Sequence, residues 1–575
     1  MGPLSARASR KSSSRGLLLV AAALVLFCSQ QARAGFYIDD VGLTRLRAEL
    51  GAAMPTGVGI RASQVEAELD SISHSYAPAE ANFPGKTFSY KSGTYTPSWH
   101  ATYVGTFLYG TWGAASGIST INNYAATSPG IPLSWMGTGF LRTGDGSRAP
   151  NVEVSRIQNH SWIGDIIGDP DTNIEILRRL DYAISRDGFL ATVGMSNDPA
   201  SIEPPLLGSS YNALAVGRTD GIHSHGYTTL DGAGRVRPDI VSPISPAMQA
   251  TSYATPFVGS LGAVLLQTAD NNSLLANART NSEVMKAILM AGATKKDVAA
   301  WNRTTTSPLD LTYGAGQVNI YNSYHILTGG EHAASTNANL PGATLTDGWD
   351  FDTVTPVSGE RLYFFDVPAG MALRDYSTVL NWNRTVTPVT KHGLTYAEWD
   401  SDLANLDLRL MSANNFVLGP AVDASLSTAD NVEHIFRGAT DANQPAAANE
   451  LTAGQYALRV SASFAGTSLA SADFALAWRG SLVVENPGLV EQPGDFNMDG
   501  RTDGLDFLVW QSHFPMTSSA TLLQGDGTGD GKVDGLDFLT WQSGFTGGSM
   551  SPAPEPTTAL VLLAAGCLLP RRPKR

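Results

Sequence analysis

The chain has two cysteines in 575 residues, Cys28 and Cys567. Both sit in terminal segments expected to be processed, so the mature body carries none. That excludes a disulfide framework, a thiolate zinc site and a cysteine nucleophile. Charge is also sparse, at 16% of residues. Cations are scarcest in the body. Five Lys/Arg fall in residues 1–34 and four in 555–575, so trimming both ends takes the net charge of −14 to near −22. A body this acidic cannot neutralise phosphates, which excludes nucleic acid as a partner. It fits a solvated exported protein or a binder of cations. The chain is too long for a single core, and three or four modules are expected.

The ends read as targeting signals. Arg7, Arg10, Lys11 and Arg15 precede an apolar run from Gly16 to Cys28, and Ala32-Arg33-Ala34 supplies small residues for cleavage. This three-part order predicts an export signal over 1–34. At the other end Pro554-Glu555-Pro556 precedes a short apolar run, Ala559 to Leu569, and then Arg571, Arg572, Lys574 and Arg575. The run is short for a stable membrane span. The order over 552–575 resembles a PEP-CTERM sorting signal. The resemblance implies transient membrane insertion, removal by a sorting enzyme, and delivery to the cell surface or extracellular matrix.

Between the signals, residues 35–330 alternate helical and strand patterns. Ile176, Leu180, Ala183 and Ile184 mark an amphipathic helix that leads through Gly188 into the buried-strand run Phe189 to Met195, and Ala213 to Gly217 is another such run. Alternation predicts an α/β domain with a mostly parallel sheet flanked by helices. Residues 331–485 change character. Leu406, Leu408 and Leu410 alternate with Asp407 and Arg409, and RLYFFDV, YALRV and DFALAW are similar short strands. An all-β sandwich is expected there, resembling the pre-peptidase C-terminal type of domain. Residues 486–493 read as a linker. Then GDFNMDGRTDGLDFLVWQSHF at 494–514 repeats as GDGTGDGKVDGLDFLTWQSGF at 525–545.

The chemistry-bearing residues lie in the first domain. RPDIVSP (Arg237 to Pro243) is followed by TSYATPFVGSLGAVLL (Thr251 to Leu266). Ser252 is expected at a loop-to-helix junction, where unpaired backbone N–H groups and the helix dipole favour a developing oxyanion. Ala254, Gly259 and Ala263 are small, and Leu261, Val264 and Leu265 form the buried helix face. The alternative is that Ser252 only caps the helix. The pattern resembles the serine motif of the subtilisin-like proteases, or subtilases. The resemblance spans about residues 55–325 and implies a serine-type endopeptidase. WHATYVGTFLYG resembles the family's histidine block, which assigns His100 as general base, with Tyr103 where the family has a second histidine. FLATVGMSND places Asn197 where the family carries its oxyanion amide. NHSWIG (Asn159 to Gly164) resembles the strand lining the substrate cleft, and YGAGQVNIY (Tyr313 to Tyr321) the end of the domain. The family's aspartate has no counterpart in GVGIRASQVEAE (Gly57 to Glu68). Glu66 is the candidate acid, Gln64 an alternative that orients without charge, and Asp70 a third.

In the repeats, Asp495, Asn497, Asp499, Asp503 and Asp506 hold positions 1, 3, 5, 9 and 12 of a loop with Gly500 at 6. Asp526, Thr528, Asp530, Asp534 and Asp537 repeat them with Gly531 at 6. Oxygen ligands at this spacing predict Ca2+ sites. Over 494–548 the pair resembles a dockerin, a small α domain, which implies a cohesin-like partner. Gly-Leu stands before position 12 in both copies. Three functions are thus open: an exported, surface-targeted peptidase acting on protein or peptide substrates, a catalytically impaired subtilase fold used as a surface binding scaffold, and a polysaccharide-active enzyme. The last has no paired carboxylates to support it.

Overall fold

A computed structural model describes residues 37–484 and 493–545. The exceptions are 71, 128–131, 165–167, 202–203, 246–247, 296, 299, 335–346 and 439–449 in the first stretch, and 497–501, 518–519, 521 and 529 in the second. The expected export and sorting signals, and the loop positions Asn497, Asp499 and Gly500, lie outside the described residues. Among the described residues no helix is long and apolar enough to cross a membrane. The chain forms two compact units, Met1–Val483 and Val484–Arg575.

The first unit is mixed α/β, with a large parallel sheet flanked by helices and with antiparallel sheets beside it. Seven strands make the parallel sheet: β1 (Arg61–Glu66), β2 (Thr87–Tyr90), β3 (Thr120–Ala125), β4 (Ile157–His160), β5 (Leu190–Gly194), β6 (Leu214–Arg218) and β7 (Ile240–Ser242). Their order is β7-β6-β5-β4-β1-β3-β2. β1 pairs in parallel with both β3 and β4, so strand order reverses at β1. In open parallel sheets the crevice beyond the carboxyl ends of the strands at such a reversal is where ligands bind. Glu66 is the last residue of β1.

Helix α1 (Trp99–Leu108), α2 (Pro170–Asp187) and α3 (Thr251–Asp270) flank this sheet. α2 begins at Asp169, whose carboxylate accepts the Thr172 N–H, and ends at Gly188, whose φ of 67° turns the chain into β5. The expected amphipathic helix and strand run are therefore both present. α3 differs from expectation. Beyond the face of Leu261, Val264 and Leu265, it buries residues all round, because it is covered by the sheet, α1 and the helix α4 (Ser282–Ala291). Gly259 allows this, since a Cβ there would stand 3.1 Å from Leu108 Cδ1.

Residues 347–484 form two four-stranded sheets. Leu406, Leu408 and Leu410 are buried as their alternation requires. This layer shares a core with the parallel-sheet domain: Trp349, Val379, Val432 and Ala477 join one hydrophobic cluster with Val284, Met285 and Ile288 of α4. Polar contacts seal the same junction. Arg384 donates from Nε to Asp181 of α2 at 3.0 Å, and its N–H meets Asn212 Oδ1 at 2.8 Å. Val236 N–H donates to Asp430 at 2.9 Å.

In the second unit, α5 (Gly504–His513) and α6 (Gly535–Gly544) are each started by a capping box, Asp503 with Asp506 and Asp534 with Asp537. The sequence repeat becomes a two-fold relation. Trp510 Nε1 donates to the Asp534 carbonyl at 3.0 Å, and Trp541 Nε1 to the Asp503 carbonyl at 2.8 Å. Phe507 and Phe538 pack between them.

Candidate active site

The site gathers at the carboxyl ends of β1, β4 and β5 and the start of α3. A cavity of about 240 Å³ is lined by His100, Asn197, Thr251 and Ser252, with Leu69, Ser161, Trp162, Ile163 and Met195 among its other walls. Three of the four expected catalytic residues thus face one space, and the fourth stands behind His100.

His100 is the second residue of α1, which is capped by the Ser98 hydroxyl accepting the Ala101 N–H. Its Nδ1 lies 2.7 Å from Glu66 Oε2. Glu66 is 1% exposed. Burial pushes the His100 imidazole down, but the charge and hydrogen bond of Glu66 outweigh it, and the pKa rises above 6.5.

Gln64, two residues earlier on the same strand face, holds Glu66 rather than His100. Its Nε2 donates to Glu66 Oε1 at 2.9 Å and to the Ala101 carbonyl at 2.8 Å, while its Oε1 accepts the Tyr109 hydroxyl at 2.6 Å. Gln64 therefore does not stand in for the acid. Asp70 does not either: it sits in an exposed turn, accepting from Ser73 Oγ at 2.5 Å and the Ile72 N–H at 3.0 Å.

Ser252 does not cap the helix. The N-cap position is Ala250, and no side chain caps there. The Thr251 N–H donates to Asn197 Oδ1 at 2.8 Å, and the Tyr253 N–H to the Ala250 carbonyl. This leaves the Ser252 N–H as a donor with no acceptor among the described residues. The Thr251 bond also fixes Asn197: with its oxygen occupied, its Nδ2 is the end left to donate. The loop carrying Asn197 is clamped by Ser224, whose N–H donates to the Ser196 carbonyl at 2.8 Å and whose Oγ accepts the Ser196 N–H at 3.0 Å. Two donors, Ser252 N–H and Asn197 Nδ2, therefore border the same cavity. No hydrogen bond joins His100 to Ser252 among the described residues; such bonds commonly tighten only with substrate bound.

Several supporting residues were not anticipated. Tyr109 fixes Gln64, and Thr251 fixes Asn197. His160 fixes the cavity wall, with its Nδ1 accepting Trp162 Nε1 at 3.2 Å and its Nε2 donating to Gln158 Oε1 at 2.9 Å. Burial pushes the His160 pKa down to about 3, so the neutral ring required by this relay persists. All three lie in runs singled out from the sequence, but Tyr109 and Thr251 act on partners from other elements, Gln64 and Asn197, which no local pattern announces.

In the second unit the described part of the repeated loop draws its ligand candidates together. Asp526 and Asp537 are buried, and Thr528 Oγ1 donates to Asp537 Oδ1 at 2.9 Å. Asp526 holds the turn by accepting the Gly531 N–H at 2.8 Å. Asp530 accepts the Lys532 N–H, and Asp534 serves as helix cap. Among the described residues no group of three or more His, Cys, Asp or Glu side chains is arranged to hold a metal ion. Of the first loop, Asp495, Asp503 and Asp506 are described, and Asp506 accepts the Asp503 N–H at 2.8 Å.

No protein-family model and no curated protein matches the chain. Solved structures with a related chain path include the Prenylagaramide maturation protease PagA, at 17% identity over 50% of this chain and 99% of that one, with a TM-score of 0.32. A serine protease of Aeromonas sobria follows at 12% identity, 74% and 89% coverage, and TM-score 0.30. The Clostridium Perfringens CspB protease gives 11%, 50%, 99% and 0.35. Similarity this low carries no residue correspondence, and the chemistry of the site rests on its own geometry.

Proposed function

We propose that this protein is an exported subtilisin-like serine endopeptidase that uses Glu66 as the acid of its triad. The observation that carries the reading is the buried Glu66 carboxylate on His100 Nδ1, with His100, Ser252 and Asn197 around one cavity. Glu66 holds the imidazole with its proton on Nδ1, which leaves Nε2 as the base. Ser252 Oγ attacks the peptide carbonyl and gives its proton to His100 Nε2, and the imidazolium is stabilised by Glu66. The carbonyl oxygen becomes an oxyanion held by Ser252 N–H and Asn197 Nδ2. Collapse breaks the C–N bond, and His100 returns the proton to the leaving amine. Water then repeats the sequence on the acyl-enzyme. Leu69, Trp162, Ile163 and Met195 give the cavity apolar walls, which favours an apolar side chain on the acyl side.

The rival reading is a scaffold without catalysis. A binding surface has no use for a buried carboxylate aligned on an imidazole, and desolvating that carboxylate is costly. A fluorophosphonate probe separates the two. Labelling that disappears in Ser252→Ala and His100→Ala supports the peptidase. Folded protein that labels no more than Ser252→Ala leaves the scaffold.

The second unit is read as a dockerin-like Ca2+ module. Asp526 and Asp537 are buried carboxylates that both accept from the Thr528 hydroxyl, an oxygen-rich setting that suits a hard cation such as Ca2+. Asp526, Thr528, Asp530, Asp534 and Asp537 would hold it in one loop, and Asp495, Asn497, Asp499, Asp503 and Asp506 in the other. Leu505, Leu508, Leu536 and Leu539 are exposed at matching positions of the two helices, which supports an apolar docking face for a cohesin-like partner. Export and surface sorting rest on the terminal sequences alone.

A further inference from the structure

Beyond His100, outside the cavity, the surface is aromatic. Trp99, Tyr103 and Trp112 are 61%, 41% and 38% exposed. They are contiguous: Tyr103 lies 6.3 Å from both Trp99 and Trp112, and is within 29° of parallel to the latter. Trp99 and Tyr103 are four residues apart on α1 and so share a face. The strip is joined to the reacting pair. The Trp99 ring is 5.6 Å from His100, and Tyr253, which follows Ser252, is 6.2 Å from both His100 and Tyr103. None of these four aromatics lines the cavity.

Polarity along the cleft follows from the chemistry. Asn197 and the cavity take the carbonyl oxygen and the acyl-side residue. His100 delivers its proton to the leaving amine, so residues beyond His100 meet the leaving-group segment. We infer, building on the peptidase reading, that Trp99, Tyr103 and Trp112 form a subsite for an aromatic side chain in the first few residues after the scissile bond of an extended polypeptide. Flat exposed rings at 6 Å spacing offer stacking and edge contacts to such a side chain, and burying them removes apolar surface from water.

The test uses the full chain and quenched fluorescent peptides that share one acyl side and carry either Phe-Phe or Asp-Asp after the cleaved bond. A peptide methyl ester, whose leaving methanol carries neither residue nor ring, reports the peptidase reading separately. Wild type is expected to favour the Phe-Phe peptide about three- to tenfold in kcat/KM. Tyr103→Ser and Trp112→Ser should abolish that preference and leave ester hydrolysis unchanged. Ester hydrolysis without any preference, or a preference that survives both substitutions, overturns the inference while the peptidase stands. If neither the ester nor the fluorophosphonate reacts, the peptidase reading falls. Binding to Ser252→Ala then decides the strip. Phe-Phe peptide binding weakened by Trp112→Ser retains it as a peptide site, whereas no peptide binding, or binding of cellohexaose in its place, overturns it.

Discussion

Replacing the Glu66 carboxylate by an amide removes a charge and also makes the two ends of the side chain unequal, and Gln64 decides which end faces His100. The Ala101 carbonyl can only accept, so it fixes Gln64 with Nε2 as donor, and that same Nε2 reaches Glu66 Oε1. In Glu66→Gln the new oxygen stays on Gln64, and the new NH2 turns to His100 Nδ1. An imidazole facing a donor at Nδ1 carries its proton on Nε2, the atom that has to accept from Ser252. Geometry survives and the tautomer is wrong. The analogous change in a serine-protease triad costs about 10⁴ in kcat, or about 5.5 kcal/mol in the barrier. A loss of about 10³- to 10⁴-fold is expected here, read by hydrolysis of a peptide anilide and by the rate of fluorophosphonate labelling. The mechanism makes a second demand. Adding Gln64→Ala frees the amide to turn its oxygen to His100, so the double variant should exceed Glu66→Gln by about tenfold, a coupling between adjacent groups. The pH profile gives a third reading. His100 must be neutral to act as base, and Glu66 holds its pKa above 6.5. The acid limb therefore lies above pH 6.5 in wild type and moves to lower pH in Glu66→Gln. Activity of Glu66→Gln within tenfold of wild type would refute the assignment of Glu66.

Other perturbations follow from the same contacts. Asn197→Ala should lower kcat by about 10²- to 10³-fold with KM little changed, because the lost donor acts on the oxyanion. In Gly105→Ala the added Cβ would collide with the Tyr109 hydroxyl. Tyr109 should leave Gln64, at a cost of about 1–3 kcal/mol in urea unfolding, and Tyr109→Phe should relieve part of it. Arg384→Met leaves Asp181 buried without its cation, for a loss of about 3–5 kcal/mol; an unchanged unfolding midpoint would show that the junction does not depend on this pair. Chelation should lower the melting temperature of the second unit, and Asp537→Ala should remove one of the two Ca2+ equivalents bound by calorimetry and weaken that sensitivity.

The legible features were local ones. The periodicity of Ile176, Leu180 and Ile184 marks α2, and the alternation of Leu406, Leu408 and Leu410 marks a strand with one buried face, because helix and strand periods are properties of the backbone itself. Ser252, His100 and Asn197 could be singled out because each stands among small and apolar neighbours in a recognisable run. The 31-residue repeat could be read directly, and it foreshadows the two-fold exchange of Trp510 and Trp541.

Long-range placement was not legible. Sequence left Glu66, Gln64 and Asp70 as rival acids, since all three lie within a few residues and carry polar side chains. Only the tertiary structure separates them: α1 lays His100 over the end of β1, where Glu66 reaches Nδ1 and Gln64 is drawn to Ala101 and Tyr109. Sequence likewise placed a domain boundary near residue 330, where the pattern of strands changes. In the fold, Trp349 and Val432 enter the same core as Met285, and Arg384 reaches Asp181 across 203 residues. The chain alone thus determined which elements form and which residue types can carry the chemistry, because propensity and periodicity act over a few residues. Which carboxylate meets the histidine, and where one core stops, was decided by packing between elements far apart in sequence, and no local pattern encodes that.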